Sequence, residues 1–219
     1  MKITRFLIVG NAVFVLLLLA QIAVRPTPPQ GGVTMMVTWA ERPPDVESTT
    51  ELADSVISAR VVKIRKSALT VDAPGEPGGK DSIPVEVITL QVTDDDIKGK
   101  KKKGDTIELF HTGHSGEKGE GHNTLFGDPA YKVGEEYVLF VREGPTLKVD
   151  GQAVQTQAII SPEGRWKIDQ NRNAQPISDM DWAKKMWGKP SKALKDRAAK
   201  AHAAAKAGKG KLKKRPKGE

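Results

Sequence analysis

A run of 19 uncharged residues, 6–24, opens the chain, with Lys2 and Arg5 before it and Arg25 after it. As a helix rising about 1.5 Å per residue it spans roughly 30 Å, the thickness of a bilayer core. No polar side chain interrupts residues 13–20, so a helix packed in a water-facing core, which needs one wet face, does not fit. Signal-peptide cleavage wants small residues at the third and first positions before the cut, and Gln21-Ile22-Ala23 puts Gln at the first of these. The run therefore reads as an uncleaved single-pass anchor in the cell membrane. The alternative is a cleaved signal and a secreted domain. Basic residues gather on its N-terminal side, which places the N-terminus in the cytoplasm and the rest of the chain outside.

The chain divides by pattern into four parts: the anchor or signal at 1–25, a spacer at 26–47, a β-rich domain at 48–170 and a helical, Lys-rich tail at 171–219. Three prolines within 25–30 suit an extended spacer. SVISARVVKIR at 55–65 is dense in β-branched residues and reads as one long strand. VEVITLQV at 85–92 and TIELF at 106–110 alternate in part, while EYVLFVR at 136–142 is continuously apolar, as a buried central strand should be. Asp150-Gly151, flanked by LKV and QAV, signals a two-residue hairpin. GRWKI at 164–168 reads as a short edge strand. Five or six short strands in about 115 residues indicate a small barrel or sandwich. Further on, Ser178 is expected to cap a short helix running to Trp187, and Ser191 to cap a second over 192–207. The second has little apolar stripe beyond Leu194 and is expected to be solvated. Residues 208–219 read as disordered.

There is no cysteine, which excludes disulfides, zinc-thiolate sites, iron–sulfur clusters and thiol nucleophiles. An exported chain without disulfides is most simply a bacterial envelope protein. The net charge of +8 is unevenly placed. From Ala183 to Glu219 there are 12 Lys and 2 Arg against Asp196 and Glu219, a net +12, and the remaining residues sum to −4.

The order of motifs in the body resembles the OB-fold, netrin-like domain of the tissue inhibitors of metalloproteinases and their uncharacterised bacterial relatives. Ala53-Asp54-Ser55-Val56 opens the first strand, Ile97-Lys98-Gly99 makes a turn before Thr106-Ile107-Glu108-Leu109, and Val133-Gly134-Glu135-Glu136-Tyr137-Val138-Leu139-Phe140-Val141 is the most recognisable element. The resemblance covers about half the chain and implies a small OB-like β-barrel. The animal inhibitors chelate protease zinc through an N-terminal cysteine with a free amine. This chain has no cysteine, so no functional residue carries over.

Three histidines, His111, His114 and His122, form one candidate metal site, with Glu117, Glu120 or Asp128 as oxygen donors. Asp94-Asp95-Asp96 is a weaker calcium candidate, because lysines follow where spaced acids should. Lys206, Lys209, Lys211, Lys213, Lys214, Arg215 and Lys217 form a polyanion-binding candidate, since such density attracts phosphates whatever their bearer. No nucleophile elbow, phosphate loop, HExxH motif or dinucleotide fingerprint occurs, so neither an enzyme nor a cofactor is expected. The expectation is a membrane-anchored, exported binding or structural module of the cell envelope. Its partner would be an envelope protein, or an anionic polymer or lipid held by the tail. The alternatives are a metal-binding or metalloprotease-inhibitor-like domain, and an inverted topology in which the tail contacts nucleic acid in the cytoplasm. The acidic body argues against nucleic acid.

Overall fold

A computed structural model describes residues 42–72, 79–112 and 129–208. The 6–24 segment, most of the spacer, His114, His122 and all the basic tail residues after Lys206 lie outside them. Among the described residues no helix is long and apolar enough to cross a membrane.

The β-branched run at 55–65 grows into β1, Ser55–Asp72, which pairs along its length with β2, Lys80–Asp94. Register shifts at Ser58/Ala59 and Val61/Lys63 bend it, so its first part can also pair with β4, Glu136–Val149. β2 pairs with β3, Thr106–Thr112, and β3 runs parallel to β5, Gln152–Ile159, at Leu109↔Gln157 and Phe110↔Ala158. β5 returns to β4 through the Asp150-Gly151 hairpin. Both turn residues have positive φ, 51° and 82°, the geometry for which Asp-Gly is suited. The chain is thus mainly β, with five strands closing into a ring in the order β1-β2-β3-β5-β4-β1.

Two apolar layers share β4, which explains its unbroken apolar run. Tyr137, Leu139 and Val141 point into the ring with Ile57, Ile88, Leu90 and Leu109. Val138 and Phe140 point the other way, under a cap that includes Trp166, Met186 and Leu194. That cap is built from α1 (Val46–Leu52), β6 (Arg165–Ile168), β7 (Ala174–Pro176), α2 (Asp181–Lys184) and α3 (Ser191–Lys206). Asp45 starts α1 by accepting a hydrogen bond from the Ser48 amide at 2.7 Å.

Four expectations change here. α1 begins in the stretch read as spacer. β6 is not an edge strand, because it lies between β4 and β7 with Trp166 fully buried. Ser178 does not cap a helix to Trp187: α2 begins at Asp181 after Met180, and the Ser178 hydroxyl accepts from the Met180 amide and donates to Glu163. α3 starts at Ser191 after Pro190 and is not solvated all round. Leu194, Ala198 and Ala201, spaced four and three apart, form a buried stripe that packs against α1. Small residues make a narrow stripe that hydropathy undervalues, yet they let two helices approach closely.

Candidate functional site

The motifs at the domain's start and turns are accounted for by structure. Ala53 and Val56 belong to the core beneath the cap, and Asp54 accepts from the Glu143 amide at 3.1 Å. In the Ile97-Lys98-Gly99 turn each residue has a task. Ile97 packs against the cap core and donates its amide to Val56 O at 3.0 Å. Lys98 Nζ donates to the last carbonyls of α1, Thr50 O at 2.9 Å and Glu51 O at 2.8 Å, a cation at the negative end of a helix. Gly99 passes so close to the Ser55 hydroxyl and the Asp96 carboxylate that a Cβ there would overlap both.

The three acids proposed for calcium are each engaged by the protein itself. Asp94 pairs with Lys195 at 2.7 Å. Asp95 meets Lys102 at 3.4 Å and accepts from the Lys103 amide. Asp96 Oδ1 accepts the amides of Val56, Lys98 and Gly99 at 2.9–3.0 Å, while Oδ2 accepts the Ser55 hydroxyl. Among the described residues no group of three or more His, Cys, Asp or Glu is placed to hold a metal ion.

His111 faces the interior of the ring. Its strand partner Glu86 shares the inward face with Ile88 and Leu90, and His111 Nδ1 lies 3.6 Å from Glu86 Oε2, both groups buried. The imidazole edge meets the Tyr131 ring at 5.3 Å, and Tyr131 lies 5.1 Å from Tyr137. The Arg165 guanidinium sits 3.5 Å above Tyr131 and 4.9 Å from Tyr137, a cation–π contact strengthened by burial. It also donates to Pro129 O and to Tyr137 OH. Tyr137 donates onward to Glu135, which also accepts from Lys167 at 2.6 Å. A buried line of polar groups therefore runs from Glu86 to the half-exposed Glu135–Lys167 pair.

Comparison with family models, curated proteins and solved structures finds no match.

At the outer end of the line Glu135 meets Lys167, with Arg165 behind Tyr137. Burial alone would raise the Glu135 carboxyl, but hydrogen bonds from Lys167 and Tyr137 outweigh it and hold it below its ordinary value. Burial pushes the Tyr137 phenol from 10.0 up to about 12, with Arg165 opposing and Glu135 adding. The folded chain therefore keeps a proton that the unfolded chain sheds above pH 10. Stability from this source is complete below pH 10 and is lost as pH rises towards 12. In a Tyr131→Phe variant Tyr137 is the sole tyrosine. Its ultraviolet titration is expected to show phenolate only near pH 12 or on unfolding; a midpoint near pH 10 would contradict the burial.

Of the sequence candidates, His111 is set into the core and Lys206 is exposed at the end of α3. Glu86 and Arg165 were missed. The readable signal for Glu86 was parity, since it alternates in step with Ile88 and Leu90. Nothing local distinguishes Arg165, whose aromatic partners arrive from distant positions.

Proposed function

We propose that this chain is a binding module of OB type, exported across a membrane and held there by its N-terminal segment, with a lysine-rich C-terminus that contacts anionic groups. The ring order carries the fold part of this reading. Five strands in a ring in the order β1-β2-β3-β5-β4, with β3 parallel to β5 and β1 pairing with β4, support a reading as the five-stranded Greek-key barrel of OB folds. The netrin-like branch is the version that the motif order suggests.

OB folds usually hold oligonucleotides or oligosaccharides on the outer face of strands 2 and 3, between the β1–β2 and β4–β5 loops. Here the half of that face around Val85 and Val87 is occupied by the protein's own arms, while Gln91 and Thr106 at the other end stay exposed. Val85 and Val87, on the opposite side of β2 from Ile88, are buried under Leu147 and Val149, with Leu69, Ile83, Phe110 and Val154 packed around them. Ser67 donates across the arms to Lys148 O at 3.0 Å. Arg65 is neutralised by Glu108 at 2.7 Å, with Asp150 at 3.8 Å. Single-stranded nucleic acid needs an open basic groove with aromatic platforms, and on this face the aromatic Phe110 is packed under the arm and Arg65 is paired, which favours a protein or anionic-surface partner. The metal-binding alternative draws less from the geometry, because His111 turns inward against Glu86 and Tyr131.

Alkaline phosphatase fused after Glu219 tests the topology, because that enzyme is active only when exported. Activity in whole cells is the expected result. An inactive, intact fusion protein would put the C-terminus in the cytoplasm and overturn the reading.

A further inference from the structure

Where the chain enters the described domain is fixed against α2. Arg42 donates to Glu163 at 2.7 Å and to Asp179 at 2.9 Å, and Trp182 Nε1 donates to Pro43 O at 3.1 Å. Trp182 in turn lies against the buried Trp166, with ring centroids 5.8 Å apart. The described chain therefore begins beside α2.

Five residues beyond Trp182, Trp187 is 62% exposed. The backbone that carries it is tied down. Its amide donates to Lys184 O, the Gly188 amide to Ala174 O, and the Lys189 carbonyl accepts from the Ala174 amide at 2.8 Å. A well-anchored turn thus holds a large indole outward, where a protein in water gains nothing from it. Around it Lys184, Lys185 and Lys189 are exposed. Among the described residues none of the three makes a salt bridge, and Lys192 at the start of α3 pairs only with Asp196. An indole amid lysines suits the headgroup layer of an anionic bilayer, where the ring meets the apolar boundary and the ammonium groups meet phosphate.

We propose that this corner between α2 and α3, Trp187 with Lys184, Lys185 and Lys189, rests on the anionic headgroups of the bilayer that anchors the chain. The proposal deepens the membrane-anchored reading and rests on it. It assigns the contact to the folded domain, on the side where Arg42 and Pro43 are held, and not to the tail alone.

The full chain is reconstituted into vesicles of phosphatidylcholine, with or without phosphatidylglycerol, carrying brominated acyl chains that quench nearby indoles. The contribution of Trp187 is the difference in fluorescence between the natural chain and Trp187→Phe. That contribution is expected to fall by at least half in the anionic vesicles, to be largely retained in phosphatidylcholine, and to be retained in Lys185→Glu/Lys189→Glu. Unchanged circular dichroism shows that each variant is folded. Vesicle flotation separates the two readings. A chain that does not float overturns the anchor, and this proposal with it. A chain that floats with Trp187 unquenched, or quenched equally in both lipids, overturns the headgroup contact alone. A Trp187 signal that responds to soluble polyglutamate but to neither vesicle would place an acidic polymer there and also overturn it.

Discussion

Trp166→Ala is expected to cost about 3–5 kcal/mol of folding stability, within the range for deleting a buried aromatic ring. For a domain of this size that lowers Tm by roughly 10 °C. Trp166 stands between the ring and the cap. Its strand pairs with Val138 of β4, its ring meets Trp182, and it shares one core with Phe140, Met186 and Leu194. Truncation removes the plate on which the helical cap rests and strands the Glu163 carbonyl, which accepts from the indole N–H at 2.8 Å. Trp166→Phe keeps a six-membered aromatic ring but loses the rest of the indole and that hydrogen bond, so a loss of about 2 kcal/mol is expected, smaller than for Ala. Trp187→Ala, at an exposed site, is expected to stay within about 0.5 kcal/mol of the natural chain. Urea unfolding of the three variants checks the order. Equal losses at Trp166 and Trp187 would show that the cap does not rest on β6.

Asp96→Ala is the second large effect, about 2–4 kcal/mol, because hydrogen bonds to a charged acceptor are the stronger ones and several donors lose their partner together. One carboxylate gathers the start of β1, through Ser55 and the Val56 amide, and the turn that leads to β3, through the Lys98 and Gly99 amides. Asp96→Asn provides the internal comparison. Its carbonyl can still accept the three amides, and its NH2 group can donate to the Ser55 hydroxyl. The expected loss is therefore smaller, about 1 kcal/mol. Gly99→Ala should match Asp96→Ala in severity, since its methyl group must displace the Ser55–Asp96 contact. A wild-type denaturation midpoint for Asp96→Ala would show that this knot contributes nothing to closing the ring.

Much of the strand pattern was legible because alternation and turn chemistry are local. β1, β2, β3 and β4 begin within a few residues of where β-branched density and alternation place them, and the hairpin sits at Asp150-Gly151. EYVLFVR was rightly read as central, since a strand buried on both faces has no polar parity to show. The helical elements were less legible. α1 has only seven residues, and Thr49 and Thr50 return their hydroxyls to the carbonyls of Asp45 and Val46. Such residues also favour turns, so propensity alone does not declare a helix. Among the candidate site residues, His111 was found as a polar signal in the sequence, but its place on β3 was not legible, because its neighbours Glu86, Tyr131 and Arg165 come from three distant segments.

Charge segregation, the uncharged N-terminal run, the absence of cysteine and the alternation of the β-rich body are properties of the sequence by itself. They follow from composition and from interactions between residues a few positions apart. Tertiary structure alone decided that β6 is interior, that α3 buries Leu194, Ala198 and Ala201, and that the β4–β5 arm covers Val85 and Val87 on the outer face of β2. It also decided which charged groups are buried and which aromatic ring is left outside. Each of these depends on which surfaces meet across the ring, and burial free energy is set by the partner that arrives as well as by the residue that waits for it.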